Sequence, residues 1–292
     1  MPSMNGTTAL VTGATGGLGK AIATALAREG ATVVAVGRSS ARAEDAMRDI
    51  HEVVPHASLE PLACDLSSQA SIRSAVEEYE SRHQELNVLV NAAGVFRKER
   101  HVTSDGLELT FATNVMAYFL LTSLLSDALK RGANDQKART SRVVNIASKY
   151  SGGPSVTKID FDDLQTARGK YSYIRATPPT MLGRVLLTQE FAEQLRGSNV
   201  VVNAVHPGLV KNTGLLQDVG GPFRWLTNAL GKSAEEAADT PVWLATSPET
   251  AGLTGKLWAK RKQLPTPGMG SDPAARRRLW EECARLAAPT AG

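Results

Sequence analysis

The sequence predicts an α/β fold: one domain built on a doubly wound, mostly parallel sheet of about seven strands, with helices on both faces. Two observations carry this. Short Val/Ile/Leu-rich runs alternate with longer amphipathic segments over the first two hundred residues, as buried parallel strands and their covering helices do. A glycine-rich turn also joins the first apolar run to the first amphipathic one. The strands fall at 7–11, 32–36, 59–63, 88–90, 142–146 and 200–205. The helices between them fall at 18–29, 41–52, 69–83, 107–131 and 181–196, where apolar residues recur at helical spacing. A further helix is expected over 233–246, with Ser233 as its N-cap and Glu236 as the capping-box partner. A last one over 273–288 would bury Leu279, Cys283 and Leu286 on one face. The segments 133–141 and 152–170 read as loops, and the second is long enough to suggest a functional role.

Composition narrows the class. A chain of 292 residues with 42% hydrophobic content can bury a core, which excludes a disordered protein. No apolar run approaches the length of a membrane span. The N-terminus reads as the approach to a strand and not as a secretory leader, so a cytoplasmic protein is expected. Cys64 and Cys283 are too far apart for metal-ligand spacing and suit a reducing compartment, so no metal site is expected. Lys and Arg number 33 against 29 Asp and Glu, a net charge of +4. The basic runs 260–262 and 276–278 read as solvated surface, and no nucleic-acid partner is expected.

The turn is Thr12-Gly13-Ala14-Thr15-Gly16-Gly17-Leu18-Gly19. Glycine lets backbone approach a phosphate, and the helix that follows offers free N–H groups and a positive dipole end. After the second strand, where a carboxylate would hold an unmodified ribose, the chain reads Gly37-Arg38-Ser39-Ser40. Arg38 would clamp a 2′-phosphate, so the expected cofactor is NADP(H) rather than NAD(H).

Further pieces follow in order: Asp65 after the third strand, Asn91-Ala92-Ala93-Gly94 after the fourth, Asn114 in a long helix, Ser148 after the fifth strand, and Pro207-Gly208 after the sixth. With residues 12–19 they resemble the short-chain dehydrogenase/reductase superfamily. The stretches 105–130, 159–165, 187–195 and 206–208, with the closing Arg278-Leu279-Trp280-Glu281, resemble its retinol-dehydrogenase-like branch. The resemblance covers nearly the whole chain and implies a Rossmann fold with a nicotinamide cofactor. It further implies that Gly13, Thr15, Gly17, Leu18 and Gly19 hold the pyrophosphate. Asp65 and Leu66 would hold the adenine end, Asn91, Ala92, Ala93 and Gly94 would support the sheet and ribose, and Pro207, Gly208 and Val210 would face the nicotinamide. Residues 1–205 would then form the dinucleotide-binding core and 206–250 a substrate lid region, with an apolar stretch at 214–231. Residues 251–292 would add the last strand and the C-terminal helix. Family members often pair through the helices expected at 107–131 and 181–196, so a homo-dimer is one expectation and a monomer the other.

One departure matters. The family's chemistry uses a serine with a Tyr-x-x-x-Lys pair. Ser148 matches the serine, but Leu187-Thr188-Gln189-Glu190 fixes a register that places Thr177 and Met181 in the other two slots. Tyr171-Ser172-Tyr173-Ile174-Arg175 lies just upstream, so Tyr173 or Tyr171 is the candidate substitute, or neither is. Asn114, which orders a water beside the lysine in the family, would here tie a helix kink to a strand. The candidate catalytic set is Ser148, Tyr173 and Asn114. Losing a positioned acid costs roughly 10²–10⁴-fold, or about 3–5 kcal/mol of barrier. That penalty favours a pre-activated C=O, C=C or C=N acceptor on a hydrophobic small molecule, in an enzyme suited to secondary metabolism. The other readings are a redox-neutral cyclase or isomerase with NADP(H) as a structural part of its pocket, and a non-catalytic NADP(H)-binding protein.

Overall fold

In the computed structural model the described residues are 4–134, 140–152, 155–211 and 229–288. Most of the apolar stretch 214–231 lies outside them. The first half of the chain alternates β1 (Thr8–Thr12), α1 (Gly17–Arg28), β2 (Thr32–Gly37), α2 (Ser40–Val53), β3 (Leu59–Ala63), α3 (Gln69–Arg82) and β4 (Val88–Asn91). Then come α4 (Leu109–Leu124), α5 (Ser126–Asn134), β5 (Ser141–Ile146), a small hairpin of β6 (Ser151–Gly152) and β7 (Ser155–Val156), α6 (Tyr173–Gln194) and β8 (Val200–Val205). The chain ends with α7 (Ala234–Thr246), β9 (Leu257–Ala259), β10 (Lys262–Leu264) and α8 (Pro273–Ala287).

The main sheet has eight strands in the order β10-β9-β8-β5-β4-β1-β2-β3. Every pairing is parallel except β9 with β10. β10 is the strand beyond the seven expected: three residues long, with Lys262 and Gln263 exposed, it carries no apolar pattern to read. The fold is a single-domain, Rossmann-like α/β sandwich. Side chains alternate across the strands, as the pleat requires. Leu10 and Val143 join the layer of α3, α4, α6 and α8, whereas Ala9, Val11 and Val144 join the layer of α1 and α7.

Two helix boundaries differ from the sequence expectation. The helix expected over 107–131 is interrupted by a π-turn at Ala112–Met116, then bends by 53° at Leu125 into α5. α6 starts at Tyr173, not near Met181; Ser172 caps it by accepting the N–H of Arg175. Pro178 and Pro179 therefore sit inside the helix rather than at its start. Without their N–H groups the carbonyls of Ile174 and Arg175 lose helical partners, and both residues are exposed, so water can serve.

The basic run 276–278 is not plain solvated surface. Arg276 is paired with Glu190 of α6 at 2.8 Å, and Arg278 with Asp162 at 3.0 Å, its guanidinium 4.7 Å from the Phe161 ring centroid. No single described helix is long and apolar enough to cross a membrane.

Candidate active site

β1 leads to β2 and β3 on one side, and the chain then returns to β4 on the other. This reversal opens a crevice at the carboxyl ends of β1 and β4, where doubly wound sheets take their ligands. Residues 12–19 lie there. Gly13 has φ +69, and a Cβ on it would come within 3.1 Å of Ala93 Cα; a Cβ on Gly19 would run into the Gly13 carbonyl. The turn thus brings β1, β4 and α1 together more closely than side chains allow. α1 begins on Gly16 with no side-chain cap and no acid in its first turn, so its N–H groups remain for an anion. Thr15 is exposed and Gly17 and Leu18 are half-buried. Thr12 welds the crevice from below. Its Oγ1 accepts the N–H groups of Ala92 (2.9 Å) and Ala93 (3.1 Å) and donates to the Val90 carbonyl.

Arg38 follows β2, is exposed, and makes no hydrogen bond or ion pair among the described residues. Ser39 beside it caps α2. Asp65 after β3 accepts the N–H (3.0 Å) and O–H (2.7 Å) of Ser67 on one carboxylate oxygen, and Leu66 packs on the core. After β8, Pro207 and Gly208 are half-buried; Val210 is buried and bridges to Lys232.

The other end of the crevice is lined by β4, β5 and α6. Asn91 is fully buried; it donates to Thr122 Oγ1 (3.2 Å) and Asn145 Oδ1 (2.9 Å), and Asn145 donates to Thr188. Its side chain steadies the strand ends from inside. Asn114, in the π-turn, clasps Val95: Oδ1 accepts the Val95 N–H (2.9 Å), and Nδ2 donates to the Val95 carbonyl (3.0 Å) and Thr180 (3.2 Å). Ala92, Ala93 and Gly94 are half-buried, as is Ser148 after β5.

On α6, Thr177 and Met181 are 2% and 7% exposed, and the Thr177 hydroxyl has no partner. Four of the five tyrosines are tied elsewhere. Tyr79 donates to the Glu85 carbonyl, Tyr118 to Ala93 and Ile146, Tyr150 to Pro267, and Tyr171 to Glu108. Burial pushes the phenols of Tyr118, Tyr150 and Tyr171 up to about 12. Tyr173, half-buried in the first turn of α6, has a hydroxyl with no partner among the described residues.

Two groups were not anticipated. His206 follows β8, and its Nδ1 accepts the Lys149 N–H at 3.2 Å. Burial, then Lys149 and Lys232, lowers its pKa. Arg184, one turn beyond Met181, is 4% exposed and lies 4.2 Å from the Tyr118 ring centroid. The sequence signal for Arg184 was a lone charge in the apolar stretch 176–189.

Known proteins agree with this arrangement. The family model described as short chain dehydrogenase matches residues 7–159. Human retinol dehydrogenase 13 is 36% identical over 293 residues, covering 96% of this chain and 84% of that one. The crystal structure of an uncharacterized protein from Mycobacterium paratuberculosis superposes with a TM-score of 0.75 at 26% identity, covering 98% of this chain and 95% of that one. A protein described as an NAD(P)-dependent gluconate 5-dehydrogenase from Beutenbergia cavernae, solved with bound NADP, gives 0.68 at 26% identity over 88% and 96%. With the glycine turn at the sheet's switch point and similarity running the length of the chain, this protein belongs to the short-chain dehydrogenase family.

Proposed function

We propose that the chain is an NADP(H)-dependent oxidoreductase that acts on a hydrophobic small molecule through a non-standard active site. The carrying observation is the contrast between the two ends of one crevice. At one end the uncapped start of α1, the close-packed glycines and the unpaired Arg38 fit a dinucleotide with a 2′-phosphate. At the other, the α6 face carries Thr177 and Met181, and neither side chain can exchange a proton near neutral pH.

Gly13, Thr15, Gly17, Leu18 and Gly19 would hold the pyrophosphate, Arg38 the 2′-phosphate, and Asp65 and Leu66 the adenine end. Ala92, Ala93 and Gly94, backed by Asn91, would meet the ribose of the nicotinamide half, with Pro207, Gly208 and Val210 against the ring. The cofactor supplies or accepts a hydride. Ser148 polarises the substrate, and Tyr173 is the phenol left to move a proton. Its position limits it: Tyr173 lies one helical turn, about 6 Å, N-terminal of Thr177. Helical side chains also lean toward the N-terminus, away from the strand ends. A substrate that needs little proton help suits such a site: an activated C=O, C=C or C=N. That the similar human protein is named a retinol dehydrogenase supports a hydrophobic substrate.

The same α6 face favours one second reading, a redox-neutral cyclisation or isomerisation in which NADP(H) shapes the pocket. One assay separates them. Purified protein is mixed with NADPH and a panel of ketones, enones and iminium ions, following NADPH absorbance and product together. We expect NADPH loss matched to product. Product without NADPH loss, yet dependent on bound NADPH, would establish the second reading, and no turnover on any acceptor would defeat the first.

A further inference from the structure

We infer that Arg184 is the fixed cation of the nicotinamide end of the crevice, and that it makes the site bind the reduced cofactor in preference to the oxidised one. The inference rests on the cofactor reading above and sharpens it.

The placement follows from helix geometry. Arg184 is three residues beyond Met181 and seven beyond Thr177, so all three share one face of α6. A long side chain on a helix leans back over the preceding turn. The guanidinium accordingly covers the Met181 turn, with Nη1 3.8 Å from the Met181 sulfur. There it gathers three backbone carbonyls from three elements. Nε donates to Asn114 in the π-turn (2.7 Å), Nη1 to Ile146 at the end of β5 (2.8 Å), and Nη2 to Ala93 just after β4 (3.1 Å).

Every one of these partners is neutral. Buried arginines are ordinarily matched by a carboxylate, as the half-buried Arg276 of α8 is by Glu190 of α6. Among the described residues Arg184 has no ion pair, only the carbonyls, the Met181 sulfur and the face of Tyr118. A guanidinium does not give up its proton in a protein, so a full unit of positive charge stays uncompensated. It lies directly behind Gly94, where a Cβ would come within 2.9 Å of Nη2. The strands it joins, β4 and β5, belong to the second mononucleotide half of the sheet, the half that takes the nicotinamide nucleotide. The oxidised nicotinamide ring carries a positive charge and the reduced ring none. A fixed cation nearby therefore raises the free energy of the oxidised complex alone.

The test is equilibrium binding of NADPH and NADP⁺, each titrated calorimetrically into the wild type, Arg184→Lys, Arg184→Gln and the double variant Met181→Lys/Arg184→Gln. The wild type should prefer NADPH. Arg184→Gln should shrink the ratio of the two dissociation constants by about tenfold, the order expected of one partly screened charge. Arg184→Lys keeps the charge but cannot span three carbonyls, so its melting temperature should fall while its ratio holds. The double variant returns a charge one turn earlier and should recover the preference, which covers the case of a poorly folded Arg184→Gln. A merely structural arginine would move stability and leave the ratio alone. A ratio unchanged in folded Arg184→Gln, or lost in Arg184→Lys, overturns the inference and leaves the cofactor reading standing. Wild-type protein that binds neither nucleotide takes down both.

Discussion

His206 can accept the Lys149 N–H only while its Nδ1 carries no proton, and the neutral form is the one its surroundings favour. Burial and the two lysines hold the folded pKa below the usual value of 6.5, whereas the unfolded chain titrates at the usual value. As pH falls, the unfolded state takes up the proton first, so stability present above about pH 6.5 is lost as pH drops through the folded value. We expect the melting temperature to fall between pH 7.5 and 5 more steeply in the wild type than in His206→Asn, whose amide oxygen can accept the same N–H without titrating. Parallel curves would show that the contact is indifferent to charge. Single residues such as this one were the least legible part of the sequence. The glycines and Arg38 stand where strand-turn-helix chemistry points to them, and Ser148 stands out through the family resemblance. Arg184, His206 and Thr12 act through distant carbonyls and amides that only the fold brings near. Tyr171 is another case: its hydroxyl donates to Glu108, 63 residues away in sequence, at 3.0 Å.

Elements are most legible where burial sets the pattern. Strands β1, β2, β5 and β8 are buried almost throughout because helices cover both faces, and their Val-rich centres announce themselves. The start of α6 is not legible because two prolines usually end or open a helix, and here exposed carbonyls make them tolerable inside it. The join between α6 and α8 was also invisible. It centres on Glu190, 5% exposed, which receives Gln194 Nε2 (2.8 Å) on one oxygen and faces Arg276 on the other. Removing one member of a buried pair strands the other's charge, at a cost of about 3–5 kcal/mol, whereas replacing both is often close to neutral. Arg276→Met should therefore destabilise the protein by about that much in urea denaturation, and Glu190→Met/Arg276→Met should recover most of it. Equal losses in the single and double variants would mean that the pair holds α8 by packing alone.

At the scale of the molecule, α8 decides what the α4/α6 layer can touch. A symmetric pairing of two chains through these helices needs a free, self-complementary apolar face of roughly 500 Å² or more per partner. Here that face is already covered from within the chain. Trp280 of α8 stacks edge-on against Phe119 of α4 (4.9 Å) and Phe191 of α6 (4.8 Å). A Cβ on Gly183 would lie 3.3 Å from Val115 and 3.5 Å from Leu279, so three helices meet at one glycine. The loop carrying Lys158, Ile159 and Leu164 closes over the remaining gap, a cavity of about 190 Å³ whose floor is Phe111, Val115 and Leu279. The C-terminal helix thus covers part of the apolar α4/α6 face that a symmetric pairing would use. The 292-residue protein should therefore run as a single chain in light scattering at micromolar concentration. Trp280→Ala, which uncovers Phe119 and Phe191, should make its apparent mass rise with concentration. A stable wild-type dimer that Trp280→Ala leaves untouched would place the contact on another surface and remove α8 from the explanation.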